Sequence, residues 1–166
     1  MRALLVVATV ALLATSVLAD KWLDDKAKED GVHKLPSGML FKILKKGDGA
    51  KSPKVSDPCE VHYAGTLTNG QKFDSSYDRG SPATFAPNQV IKGWTEALQL
   101  MVEGDTWEVY IPYQLAYGEA GRPPKIPAKA TLVFKMELIK VKSGGKPAAE
   151  AVAALEKAIG KSRDEL

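Results

Sequence analysis

The sequence predicts an α+β domain in which short antiparallel strands wrap one face of a single amphipathic helix. Strand-type alternation of apolar and polar residues recurs in several short runs separated by turn residues. In the body of the chain, only the segment from Gln89 to Met101 shows strong helical spacing, through Val90, Ile91, Trp94, Ala97, Leu98 and Met101. A loop from Gly118 to Pro127, with Gly121, Pro123, Pro124 and Pro127, cannot pair inside a sheet because proline lacks an amide proton and has a fixed φ.

In chain order, Arg2, an apolar run from Ala3 to Ala14, and Val17-Leu18-Ala19 before Asp20 read as a secretory signal with a cut after Ala19. That apolar run is shorter than the roughly 20 residues a spanning helix needs, so no membrane association is expected after cleavage. Residues 20–35 form a charged leader, where Trp22, Leu23 and Ala27 offer one thin helical stripe ending at Gly31. Met39 to Lys46 reads as a strand closed by Gly47-Asp48-Gly49. The next strand runs from Cys59 to Leu67, Asn69-Gly70 signals a type I′ hairpin turn, and the chain returns through Lys72-Phe73-Asp74. Beyond the helix, strands follow at Thr106 to Ile111 and Ala130 to Val141. Ser143-Gly144-Gly145 is a joint, after which Pro147 opens an alanine-rich helix closed by Gly160, with Val152, Leu155 and Ile159 on one stripe.

A chain of 166 residues accommodates one ordinary domain, here residues 36–142, with residues 143–166 as linker, helix and charged tail. A net charge of +3, with lysines scattered among acids, gives no basic stripe for nucleic acid. The single cysteine, Cys59, excludes an internal disulfide, and its alternation with Val61 and Tyr63 places it in the core as an inert thiol. No segment has the spacing of a metal site, a phosphate loop or a nucleophile elbow. His33 and His62 lack evident partners, and a His62-Asp74-Ser75 triad has no strained turn or oxyanion loop to support it. Arg163-Asp164-Glu165-Leu166 reads either as a retrieval signal for the endoplasmic reticulum, with arginine in the usual lysine position, or as a solvated charged terminus. The chain is accordingly expected in the lumen or outside the cell.

Val61-His62-Tyr63-Ala64-Gly65, Phe73-Asp74-Ser75-Ser76, Val90-Ile91-Lys92-Gly93-Trp94, Leu115-Ala116-Tyr117-Gly118 and Ala130-Thr131-Leu132-Val133-Phe134 resemble, in order, the signature blocks of the FKBP family of prolyl isomerases. The short link from Phe85 to Val90 and the run Trp94-Thr95-Glu96-Ala97-Leu98-Gln99 are most similar to the macrophage infectivity potentiator branch. The resemblance implies a five-stranded curved sheet around the helix. Between them it places a pocket floored by the Trp94 indole, with Tyr63, Phe73, Val90, Ile91, Tyr117, Ile126 and Phe134 around it. It further implies that Asp74 and the Tyr117 hydroxyl reach the substrate, that the Ile91 amide holds its carbonyl, and that Arg79 pairs with Asp74. Tyr63, Asp74 and Tyr117 are the candidate catalytic residues, because they combine polar atoms with apolar settings. Ala83 stands where many members carry an aromatic, Gln89 replaces a common glutamate among the binding residues, and Arg122 and Lys125 bring charge to the flap.

The implied activity is rotation of Xaa-Pro bonds in secreted or folding proteins, with macrolides of the immunophilin type as inhibitors. A chaperone that binds proline peptides with little turnover is the alternative. Infectivity potentiators dimerise through a long N-terminal helix; the leader here is about a dozen residues, marginal as an isolated helix, so a monomer is expected. The peptide bond resists rotation by about 18–20 kcal/mol because its planar form is resonance-stabilised and strongly dipolar. A dry aromatic pocket disfavours that dipolar form relative to the twisted one, so the chemistry calls for no acid, base, metal or cofactor.

Overall fold

The computed structural model describes residues 21–166; the expected signal segment, residues 1–19, lies outside them. Among the described residues an antiparallel sheet curves over one helix, as the sequence predicts. Residues 21–26 (α1) are helical. The strands are β1 (Val32–Lys34), β2 (Leu40–Lys45), β3 (Lys51–Ser52), β4 (Cys59–Leu67), β5 (Lys72–Ser75) and β6 (Ala83–Phe85), followed by α2 (Lys92–Leu100). Then come β7 (Thr106–Ile111), β8 (Leu132–Val141), β9 (Lys146–Pro147) and α3 (Ala148–Ile159).

The main sheet has seven strands in the order β1-β2-β7-β8-β4-β5, with β6 also on β4. Its strand count exceeds the expected five because β1 and β6, each three residues long, are too short for alternation to reveal. The pair β3-β9 forms a separate ladder. Along β4, Cys59, Val61, Tyr63 and Gly65 are buried while the residues between them are not. On β8 a register shift falls where Glu60 faces Lys140 but Val61 faces Leu138. The extra residue, Ile139, turns outward, and Val141 returns to the interior.

Two local expectations change. Gly70 has φ +86° and Lys129 is the one non-glycine with positive φ among the described residues, so Asn69 does not meet the type I′ requirement. The Gly70 amide donates to the Leu67 carbonyl at 2.9 Å, as in a type I turn followed by a left-handed glycine. The body helix is also shorter than residues 89–101. Pro87–Gln89 makes a single 3₁₀ turn and Val90 is extended at φ −130°, ψ 176°, so α-helical geometry begins only at Lys92.

Buried Trp94, Ala97 and Leu98 on α2 meet Phe41, Trp107, Val109, Ile111 and Met136 from the sheet. Phe41 and Trp107 stack at 4.7 Å. Tyr110, which alternation assigns to the outer face of β7, is only 2% exposed. The leader covers it: Trp22 lies 6.0 Å from its ring, and the Lys26 ammonium sits 5.2 Å and 5.3 Å from the Trp22 and Tyr110 rings. Cys59 is fully buried, its thiol faces the Phe85 carbonyl at 3.1 Å, and burial pushes its pKa up to about 12. The thiol is therefore protonated and inert at neutral pH.

The C-terminal segment is part of this core. Pro147 and Gly160, the latter at φ 68°, bound α3, whose Leu155 joins the main cluster. Beyond it, Ser162 and Glu165 form a capping box over the 3₁₀ turn Arg163–Glu165. The Arg163 guanidinium donates to the Asp105 carboxylate, which is wholly buried. Asp105 also accepts from the Gly47 and Val102 amides at 2.6 Å and 2.9 Å and from the Trp107 indole at 3.2 Å. Leu166 packs against the core as well. The tail is therefore not a uniformly solvated terminus; only Asp164 and Glu165 are exposed.

Removing one partner of a buried ion pair strands the other charge, at a cost of about 3–5 kcal/mol. Arg163→Ala is expected to lower the unfolding free energy by about that amount in a denaturant titration; a loss under about 1 kcal/mol would mean that the Asp105 carboxylate is satisfied without it.

Candidate functional site: an aromatic pocket with a charged rim

The inward side of β4 carries Tyr63, and the pairing of Gly65 with Phe134 brings the adjoining strand's aromatic alongside it. Gly65 makes this possible. A Cβ there would lie 2.6 Å from the Phe134 ring and 2.7 Å from the Phe73 ring, so any side chain would push them apart. On β5, Gly65 pairs with Asp74 but Thr66 pairs with Lys72, leaving Phe73 as the extra residue of a bulge. Bulges re-aim side chains; here the neighbours Phe73 and Asp74 both line the same hollow instead of facing opposite ways.

Trp94, in the first turn of α2, is 4% exposed and floors that hollow. The rings of Tyr63, Phe85 and Phe134 stand edge-on to it at 4.9, 5.9 and 5.2 Å, each inclined 82°. This places electropositive ring edges against an electronegative face, worth about 0.5–1.5 kcal/mol per pair beyond area burial. Val90, Ile91 and Tyr117 complete a cavity of about 460 Å³. Among the described residues the Trp94 indole N–H has no hydrogen-bond partner, a cost of about 1–3 kcal/mol that native proteins tolerate mainly where function requires it.

The rim is polar on one side. The Tyr63 hydroxyl donates to Asp74 Oδ2 at 2.6 Å, Arg79 Nη1 donates to Asp74 Oδ1 at 2.5 Å, and Arg79 Nη2 donates to the Tyr63 hydroxyl at 2.8 Å. The expected Asp74–Arg79 pair is thus present as one edge of a closed triangle. Burial pushes the Asp74 carboxyl up, but the Tyr63 hydrogen bond and the Arg79 guanidinium outweigh it and hold the group below the usual carboxylate range. Burial, with the Asp74 hydrogen bond, raises the Tyr63 phenol, which keeps it a donor at neutral pH. Across the cavity, Gln89 Oε1 accepts from the Ala86 amide at 3.0 Å. The Ile91 amide, at the cap of α2, donates to no group among the described residues.

Residues 49–139 match the family described as FKBP-type peptidyl-prolyl cis-trans isomerase. The chain belongs to that family. A macrophage infectivity potentiator of Trypanosoma cruzi is 53% identical over 125 residues, which are 75% of this chain and 64% of that protein. An outer membrane protein MIP of Legionella longbeachae is 50% identical over 123 residues, covering 74% and 52% of the two chains. The crystal structure of FkpA from Escherichia coli superposes with a TM-score of 0.74 at 39% identity, over 85% of this chain and 65% of that one. The chain therefore spans about half to two-thirds of the length of the curated relatives it matches.

Within this FKBP domain, Tyr63, Phe73, Asp74, Gln89, Val90, Ile91, Trp94, Tyr117 and Phe134 share the cavity wall. Arg79 stands behind that wall, bonded to Asp74 and Tyr63. Ile126 lies in an adjoining groove of about 410 Å³ that shares Phe73, Asp74, Tyr117 and Arg122 with the cavity. Sequence reasoning misses Phe85, whose signal is no more than its place in Ala83-Thr84-Phe85, a strand of three residues. His62 does have a partner: its Nδ1 lies 2.8 Å from Ser76 Oγ, and its ring stacks on Tyr77 at 4.5 Å. Ser76 Oγ also accepts from the Tyr63 amide at 2.7 Å, so this cluster fixes the strand that carries Tyr63.

Because the folded Asp74 pKa lies below its unfolded value near 3.9, the triangle stabilises the fold above that pH and loses its effect as pH falls through the folded value. Asp74→Asn is expected to lose stability less steeply than the parent between about pH 5 and pH 2, read from acid titration of the unfolding midpoint. Parallel curves would show that the triangle has no linkage to folding.

Proposed function

We propose that residues 36–142 form a peptidyl-prolyl cis/trans isomerase that turns Xaa-Pro bonds of exported or folding proteins. The observation that carries this reading is the enclosed floor of Trp94 beneath Tyr63, Phe85 and Phe134, bordered on one side by a carboxylate. A proline ring fits an apolar hollow of this size, and its cis form is only slightly disfavoured. The twisted imide has lost amide resonance and much of its dipole, so the dry walls favour it over the planar ground state. Lowering the barrier by about 7 kcal/mol corresponds to roughly 10⁵-fold.

In this reading Trp94, Phe73, Val90, Ile126 and Phe134 bind the ring and its flanks, and the free Ile91 amide takes a substrate carbonyl. Tyr63, Asp74 and Tyr117 place polar atoms at the twisting bond. Arg79 keeps Asp74 ionised and oriented, and Gln89 holds the approach to Ile91. No cofactor enters the reaction. Macrolides of the immunophilin type are proposed to occupy the same cavity. We further propose that the chain is exported by residues 1–19, in keeping with the outer membrane protein MIP of Legionella longbeachae to which it is similar, and that it acts as a monomer. Sedimentation at micromolar concentration tests the latter, and a dimer would overturn it.

Exchange spectroscopy on short proline peptides is expected to show faster cis/trans interconversion with the protein present, suppressed by a macrolide competitor. Asp74→Ala and Tyr117→Phe, each removing one hydrogen-bonding group, should lower kcat/KM by about three- to tenfold. Peptide peaks that shift without faster exchange would identify a binding module instead.

A further inference from the structure

Among the described residues, the groove beside the cavity carries two cations that no ion pair engages. Its far wall is a tight turn in which Arg122 and Ile126 exchange backbone hydrogen bonds at 2.8 and 3.1 Å. The buried Ile126 side chain anchors that turn. Further amide bonds from Gly121 to the Tyr117 carbonyl and from Lys129 to the Gly118 carbonyl, both 3.2 Å, tie the flap to the segment bearing Tyr117. Arg122 and Lys125 are therefore mounted on a braced support.

Arg122 lines both hollows, with its guanidinium 5.7 Å from the centre of the Tyr117 ring, and Lys125 lines the groove. Among the described residues neither takes part in an ion pair. Among the described residues Asp74 is the one acid lining either hollow, and Arg79 already pairs with it. A peptide whose proline sits over Trp94 must pass its neighbouring residues along a wall with two uncompensated cations.

Resting on the isomerase reading above, we propose that Arg122 and Lys125 form a cationic subsite selecting peptides with an acidic side chain adjoining the proline. Arg122 is suited to this because a guanidinium held over an aromatic ring keeps its N–H donors for a carboxylate. Both cations are exposed, so the selection is a surface effect of severalfold that salt weakens.

The test uses peptides identical except for glutamate, glutamine or lysine beside the proline, placed before it in one set and after it in another. Exchange rates give kcat/KM and chemical-shift titrations give Kd, each at about 10 mM and about 500 mM salt. The expected result is a glutamate-to-lysine ratio of about fivefold or more in at least one set at low salt, falling toward unity at high salt. Arg122→Gln with Lys125→Gln should erase the ratio, Arg122→Lys should keep most of it, and Arg122→Glu with Lys125→Glu should invert it. Ratios taken within one protein cancel any general loss of activity. A ratio near unity in both sets, or one unchanged by the double substitution, overturns the subsite even if neutral peptides are turned over. Preferential glutamate binding without faster exchange upholds the subsite and removes the isomerase reading.

Discussion

The buried carboxylate of Asp105 draws donors from four separate parts of the chain. Gly47 belongs to the turn after β2, Val102 to the segment leaving α2, Trp107 to β7, and Arg163 to the C-terminal turn. A wholly buried charge is tolerable only when its lone pairs are satisfied. This requirement pins the end of α2 to the sheet it faces. Trp94 lies two turns upstream on the same helix, so the floor of the cavity takes its height above the sheet partly from a contact far from the cavity.

On that frame the pocket needs little more than sterics and ring geometry. Gly65 leaves room for Phe73 and Phe134 to close over β4, and the bulge at Phe73 turns two consecutive residues toward one space. The indole then meets three ring edges, and the Tyr63–Asp74–Arg79 triangle sets a fixed charge at the border without intruding on the floor. The resulting space is apolar at its floor and polar along one edge.

Much of this was legible because it is periodic or local. Alternation located β4 and β7 to the residue, Pro147 and Gly160 bracketed α3, and the signature blocks led to Tyr63, Trp94 and Tyr117. What escaped has no local signal. The two short strands borrow their order from a neighbour, and Phe85 reaches the cavity only because β6 pairs with β4. The apolar stripe of the body helix runs on through Val90 and Ile91, although a 3₁₀ turn and extended backbone hold them outside it. The burial of Tyr110 depends on a leader helix folding back, and the Asp105–Arg163 pair joins residues 58 positions apart. Neither charge announces its partner in the sequence.

The position of Arg163 changes what residues 163–166 can offer to other molecules. In the closed fold the arginine is inside and the leucine rests on the core, leaving a short acidic edge in view. Anything that grips all four side chains must first draw a guanidinium out of its slot and fray the end of α3. The available fraction is then governed by a local opening equilibrium rather than by diffusion alone.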